Sequence, residues 1–461
     1  MLLDKINNND SKKREEEILA KLAEKENQSK IDTSEKQNKK SQSKPNEELL
    51  FNIFSDNSVF GPIQKYVEDE QITDIDFNSK NKVWLTNIQN ERWFVEIPEL
   101  TDEWIRNFAI QIADHEQVEI NPLTPVVETE TEQLRISVVH SSIATNGTSI
   151  CIRKTPPKAR ITEKYALDSL YCTKEVLCIL ANCVKAHLNI VFCGEPRAGK
   201  TECAKFISTY IPDNERVITI ESVKEWRYKE LKPEADCVEM RSTDTFDYSD
   251  AIVASLKQNP KWLMIAETRS DEVKYLIQGF STGVNGITTL HTDDIRKIPS
   301  RMLNMVNDST VEKRFLRNIY EFVNVGIMIN LKITEDGKLI RFIDQIGFFT
   351  TEGVKKAIEG EEVKAGRCVV IVQDGRLIDR PLPENIVYKL QNIGVTKGDN
   401  SALYKNKEVD RRLAIQSGQV SSENAADELD IPYSEEEIKS SDKNNEDLEE
   451  KLKDMYIPKF D

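Results

Sequence analysis

The sequence has eight cysteines but no C-x-x-C pair. Without thiols at that spacing, structural zinc and thioredoxin-type chemistry have no ligand set. Cys193 and Cys203 therefore read as small buried hydrophobes. A run of about eighteen apolar residues is also missing. The nearest approach, LCILANCVKAHLNIVFCG, is interrupted by Lys185 and His187, so no membrane span is expected. The opening MLLDKINNND has no apolar core and leads into SKKREEEILAKLAEKE. No secretory leader is expected there, and the expected location is the cytosol. Net positive charge is absent too: the formal charge is -16. A general nucleic-acid binder usually has a basic body, so direct binding of nucleic acid is not expected.

What is present divides unevenly. The 461 residues leave room for two or three domains at ~150 residues each. Residues 1–48 are rich in Lys, Glu, Asn, Gln and Ser, and read as a disordered charged tail. Residues 421–450 hold twelve acids and two lysines, a local balance of -10, so the folded body is only mildly acidic. Residues 400–461 read as an acidic C-terminal tail.

Residues 49–155 have α+β texture. ITDIDFN, KVWLTN and RWFVEI alternate apolar and polar side chains, as half-buried strands do. TDEWIRNFAIQIADHE has helical apolar spacing, with Thr101 placed to cap it. LRISVVHS and TSICIRK read as further strands, and residues 156–163 as a linker. From 164 to 399 the texture is strand, loop, helix, strand. LNIVFC is a continuous apolar run suited to a buried parallel strand. RVITIES, KWLMIAE, GITTLH and FVNVGIMINL follow, most of them separated by helix-sized stretches. The fold expected is α/β, a doubly wound sheet.

Between LNIVFC and the helical TECAKFISTYI stands Gly194-Glu195-Pro196-Arg197-Ala198-Gly199-Lys200-Thr201, which satisfies G-x-x-x-x-G-K-[ST]. By composition this match arises by chance in roughly one or two chains per hundred of this length. A buried strand before it and a helix after it supply the context that a phosphate loop requires. Its backbone N–H groups and the helix N-terminus suit phosphate. Lys200 is expected to reach the β- and γ-phosphates of ATP, and Thr201 to ligate Mg²⁺. Glu267 ends the apolar strand KWLMIA, where a metal–water partner sits. Glu221 ends ITIE, and Glu225 follows one helical turn on. Thr288, Thr289 and His291 close a further strand, where a γ-phosphate sensor would lie.

The order GEPRAGKT, ITIESVKE, NPKWLMIAETRS and STGVNGITTLHT over roughly 130 residues resembles the secretion and type IV pilus superfamily of hexameric ATPases. Within it, the chain is similar to the conjugation and type IV secretion branch and the tight-adherence pilus branch. FGPIQKYVEDEQITDIDFNSKNKVW and EQLRISVVHSSIATNGTSICIRK add agreement in the first domain, and the resemblance spans about residues 58–350. It implies a RecA-like P-loop motor domain with a smaller α+β N-terminal domain. It also implies roles for Glu267 and the following Arg269, for Glu221 and Glu225, and for His291. Arg241 falls on the family's arginine before the Walker B helix. Arg135 and Arg153 fall on arginines that reach the phosphates from the N-terminal domain. Ser222 replaces the family's usual Asp, Ala266 its usual Gly, and Glu202 its second Thr. Glu195, Pro196 and Arg197 stand where small residues are usual. The missing C-x-x-C pair separates the chain from extension ATPases with a four-cysteine zinc module.

The reading that follows is an ATP-hydrolysing ring motor of a secretion, conjugation or pilus-like system. It would be a homo-oligomer, a hexamer by resemblance, partnered by integral membrane components and peripheral on the inner face of the membrane. The alternatives are an ATP-binding structural or regulatory subunit with little turnover, and a nucleic-acid translocase, for which RKIPSRMLNMVNDSTVEKRFLR is the candidate basic run.

Overall fold

Alternation over residues 72–154 builds one antiparallel sheet. Its strands are β1 (Ile72–Ser79), β2 (Lys82–Asn87), β3 (Arg92–Glu96), β4 (Val126–Glu130), β5 (Leu134–Val139) and β6 (Ser149–Lys154), in the order β3-β2-β1-β6-β5-β4. Leu134, Ile136 and Val138 of β5 are buried, which leaves Arg135 and Ser137 on the opposite face. Helix α1 (Asp102–His115) buries Ile105, Phe108 and Ile112. Its Trp104 ring meets Phe77 of β1 edge-on, centroids 6.3 Å apart. Thr101 caps it as expected, accepting the Trp104 amide at 3.1 Å. Strand β4 was not among the expected strands: its Val126 is exposed, and pairing with β5 defines it.

The computed structural model describes residues 60–419 except 80, 90, 132, 156–158, 244, 307–311, 335–338, 353–364 and 397–400. The expected tail over 1–48, the acidic run 421–450 and residues 156–158 of the expected linker lie outside the described residues. The chain divides into Met1–Gly61, of which Phe60 and Gly61 are described, and Pro62–Asp461, which holds both sheets.

The second sheet contains the five expected parallel strands and one more. The expected ones are β7 (Ile190–Cys193), β8 (Val217–Glu221), β10 (Trp262–Ile265), β11 (Asn285–Thr289) and β12 (Val325–Ile333); β9 (Cys237–Arg241), parallel to β8 at the sheet edge, was not among them. Three antiparallel strands extend it: β13 (Leu339–Thr350), β14 (Arg367–Gln373) and β15 (Arg376–Leu377). The order is β15-β14-β13-β12-β7-β11-β10-β8-β9. With β7 between β11 and β12, the parallel part has RecA-like P-loop order, and every residue of β7, β8, β10 and β11 is buried. That total burial explains the continuous apolar runs.

One apolar core includes residues of α2 (Glu163–Asp168), α3 (Lys174–Lys185) and α4 (Lys200–Ser208). The other includes α5 (Tyr248–Leu256), α6 (Glu272–Ser281), α7 (Ile298–Leu303) and Ile319 of α8 (Glu312–Phe322). Among the described residues no helix is long and apolar enough to cross a membrane.

The expected boundary at 399 needs correction. Helices α9 (Glu384–Asn392) and α10 (Lys407–Gln416) both add residues to the first core, with Leu403 and Val409 fully buried. Arg412 donates to Glu163 Oε1 at 3.1 Å and Gln416 to Glu163 Oε2 at 2.7 Å. Asn182 donates to the carbonyls of Leu403 and Lys405. Glu163, the last residue of the expected linker, starts α2 and is itself buried. A chain ending at 399 would strip Glu163 of its Arg412 charge partner and of Gln416, leaving it the Tyr210 hydroxyl at 2.8 Å, and would remove Leu403 and Val409 from the core, a cost on the order of 3 kcal/mol. A chain ending at 419 should melt with the full-length protein, whereas one ending at 399 should melt about 5–10 °C lower. Coincident calorimetric melting of both truncations would show that α10 adds nothing.

Candidate nucleotide site

The C-terminal ends of β7, β8, β10 and β11 share one edge of the parallel sheet, and the strand-end residues named above follow from it. At Gly194 the backbone has φ 143°, and a Cβ there would lie 2.3 Å from the Ile329 carbonyl oxygen of β12. Only glycine fits that approach. Gly199, at φ 93°, turns the loop into α4. Ala198 and Lys200 are buried, whereas Glu195, Pro196 and Arg197 form the exposed crest.

Lys200 Nζ folds into the loop. It donates to the carbonyls of Gly194 at 3.1 Å and Glu195 at 2.9 Å, and lies 3.1 Å from His291 Nδ1. His291 Nε2 lies 3.0 Å from Glu267 Oε1. With an ammonium donating to Nδ1, the ring carries its proton on Nε2 and donates it to Glu267. Burial, then Lys200, holds the His291 pKa below its ordinary 6.5, which favours that neutral ring. The other Glu267 oxygen accepts from Arg269 at 2.6 Å. Thr289 Oγ1 donates to the Ala266 carbonyl at 2.7 Å, and Thr268 Oγ1 meets Thr288 Oγ1 at 2.7 Å. These bonds lock the β10 and β11 ends that carry Glu267 and His291.

The end of β8 and the loop after it bring two further acids, Glu221 and Glu225. Glu221 is buried, and its Oε2 accepts the amides of Glu225 at 2.8 Å and Trp226 at 2.9 Å. Its buried Oε1 has no hydrogen-bond partner among the described residues. Glu225 lies beside the Thr201 side chain, and burial raises its pKa against the opposing charges of Arg153 and Arg135. Hydroxyl and carboxylate oxygens around Thr201 form the hard donor set that suits Mg²⁺. Among the described residues no group of three or more His, Cys, Asp and Glu converges to hold a metal by side chains alone.

Burial pushes the Glu221 carboxyl up from an ordinary 4.5 to about 7. A raised folded-state value means the native protein binds this proton more tightly than the unfolded chain. The resulting stability is complete below pH 4.5 and is lost as pH rises through 7. The full span is about 3 kcal/mol. Denaturant midpoints measured at pH 5 and pH 8 should show the parent losing most of that, and Glu221→Gln losing little of it. Equal losses in both would place the titration elsewhere.

The antiparallel sheet contributes a row of charges across four strands: Asp74, Arg153, Arg135 and Glu130 stand directly opposite one another. Arg153 pairs with Asp74 at 2.9 Å and Arg135 with Glu128 at 3.6 Å. The structure thus brings Lys200, Thr201, Glu267, Arg269, His291, Glu221, Glu225, Arg135 and Arg153 into one region. It does not bring Arg241 to the loop. Arg241 ends edge strand β9, pairs with Glu130 at 3.2 Å, and stands four strand positions from β7, about 19 Å at ordinary strand spacing. The acids that hold the arginines, and Arg341 of β13 beside Gly199, were not legible in the sequence. Their placement depends on strand register.

A family model described as Type II/IV secretion system protein matches residues 111–345. An uncharacterised Bacillus anthracis protein is 27% identical over 314 residues, 65% of this chain and 70% of that protein. The type IV secretion system protein VirB11 of Bartonella quintana is 22% identical over 290 residues, 54% of this chain and 80% of that protein. Among solved structures, the Legionella pneumophila ATPase DotB superposes with a TM-score of 0.50 at 18% identity, covering 63% of this chain and 80% of that one. At that identity the likeness bears on fold.

Proposed function

The chain belongs to the Type II/IV secretion system protein family, and from that premise we propose that it is an ATP-hydrolysing ring motor. It powers transfer of pilin or another substrate in a secretion, conjugation or pilus-like assembly. The observation that carries this reading is the chain of contacts from the phosphate-loop Lys200 through His291 to Glu267. Phosphoryl transfer needs positioning and charge more than covalent chemistry, and that contact chain positions three of the required groups.

In this reading Lys200 holds the β- and γ-phosphates of ATP. Thr201 and Glu267 would hold Mg²⁺, which would supply positive charge at the phosphate oxygens. Glu221 divides the work between its two oxygens. Oε2 is fixed by two amides, and Oε1 is left to orient the attacking water and take its proton. Arg135 and Arg153 approach the phosphates from the antiparallel sheet beside Glu225. His291 reports the γ-phosphate to Glu267, and Arg269 steadies that carboxylate. Arg241, paired to Glu130 away from the loop, would serve a phosphate only of another subunit in the ring. The homo-oligomer is a hexamer. Its location is cytoplasmic, on the inner face of the membrane, with integral membrane components as partners. Direct nucleic-acid binding is not expected.

A second reading is an ATP-binding regulatory subunit with little turnover. It is favoured by the ion pairs that hold Arg153, Arg135 and Arg241 to Asp74, Glu128 and Glu130. Phosphate release, measured with and without DNA, separates the readings. Steady turnover independent of DNA supports the motor. ATP binding without turnover supports the regulatory subunit. Stimulation by DNA moves the protein to the translocases.

A further inference from the structure

Arg341 lies on β13, outside every motif that marks the nucleotide site, yet its side chain touches the phosphate loop. A Cβ at Gly199 would lie 3.3 Å from Arg341 Cδ and 3.6 Å from its Nε. The aliphatic stem therefore packs against Gly199, a position of the loop that offers no side chain. Beyond that contact, the guanidinium donates to the Ile88 carbonyl at 2.7 Å. Ile88 sits in the turn between β2 and β3 of the antiparallel sheet. One side chain thus bridges the loop that carries Lys200 and Thr201 to the sheet that carries Arg135 and Arg153.

The surroundings support a mechanical role. Tyr165, Tyr171, Arg160 and Glu202 are electrostatic neighbours of the guanidinium, and burial holds its pKa below the ordinary arginine value. Glu202 stands in the first turn of α4 and its carboxylate accepts the Arg160 amide at 3.4 Å. The segment leading from the antiparallel sheet is therefore tied to the same helix turn. Two other contacts, Arg227 to the Thr131 carbonyl and Arg241 to Glu130, fasten the sheet to the acid loop and to β9. Neither reaches the phosphate loop.

We propose that Arg341 is a positioning residue that clamps the phosphate loop to the β2–β3 turn, so that nucleotide at the loop sets the placement of Arg135 and Arg153. This rests on the nucleotide-site reading above. The role is not catalytic, because Arg341 acts through the sheet.

Arg341→Met keeps the stem against Gly199 and removes the fork that holds Ile88. In the full chain it should lower kcat about tenfold while changing KM for ATP by less than about threefold. A clamp predicts a specific non-additivity. In an Arg135→Ala/Arg153→Ala background, where both arginines to be positioned are gone, the same substitution should lower kcat by less than about twofold. An equal loss in both backgrounds, or no loss in the parent, overturns the proposal. Hydrogen exchange reads the coupling without turnover. A non-hydrolysable ATP analogue should slow exchange at residues 86–92 in the parent and not in Arg341→Met. Equal slowing in both proteins also overturns it. If the parent itself releases no phosphate, the motor reading fails, and the exchange experiment still decides the clamp.

Discussion

Lys200→Ala should bind ATP weakly and release phosphate at least about a thousandfold more slowly than the parent, a loss of about 4 kcal/mol of transition-state stabilisation. The residue is buried, and its ammonium sits between two loop carbonyls and His291. Alanine removes the charge at the point where the loop, β7 and β11 meet. It also frees Nδ1 of His291, so the ring can change tautomer and release Glu267. One substitution thus disturbs three members of the site. The fold should survive. Burial already pushes the Lys200 pKa down, which means the charge is held there at a cost in stability. Removing it should shift the denaturant midpoint little. Parent-level phosphate release by a folded Lys200→Ala protein would end the motor reading. Loss of the native circular-dichroism spectrum would instead make Lys200 a structural residue.

The parts of this site that were legible in the sequence are those whose signal is local. GEPRAGKT carries its own geometry, because Gly194 must avoid the Ile329 carbonyl and Gly199 must adopt a left-handed turn. The buried parallel strands announce themselves as apolar runs, and the acids close them. Helix α3 was missed for the opposite reason. Every residue from Glu175 to Val184 is buried, the polar Glu175 and Asn182 included, so the segment runs on into LNIVFC as one largely apolar stretch with no exposed face to mark a helix. Strands β13 and β14 were missed because pairing defines them, β13 against β12 and β14 against β13. The hold of Asp74 on Arg153, separated by 79 residues, depends on the register of β1 against β6. The same holds for Arg341 and Ile88, 253 residues apart. The boundary at 399 was misplaced because α10 looks polar in isolation. Its apolar contribution to the core is Val409 with the half-buried Leu413, and polar contacts to Glu163, Thr209 and Lys174 add to its attachment.

Glu267→Gln tests the other end of the contact chain. The substitution keeps the size of the side chain and one acceptor oxygen. Arg269 can still donate to that oxygen, but without a charge-assisted bond. Toward His291 the conflict is sharper. The ring donates from Nε2 to Glu267 Oε1 because Lys200 occupies Nδ1. A glutamine that offers its amide NH₂ to Nε2 would face a second donor. A glutamine that offers its oxygen there would turn its NH₂ toward Arg269. Either arrangement leaves one donor facing another. ATP should still bind, since the loop amides and Lys200 are untouched. Turnover should fall at least about a hundredfold, on the order of 3 kcal/mol, because the carboxylate that would hold Mg²⁺ is gone. The fold should persist, because Glu267 is only partly buried. Nucleotide affinity by fluorescence and phosphate release by a coupled assay, on one preparation, read the two effects separately. Retained affinity with lost turnover places Glu267 in the chemistry. Lost affinity with a lowered melting temperature would make it a brace for the β10 and β11 ends, and the acid that would hold Mg²⁺ would then have to be Glu225, the carboxylate beside Thr201.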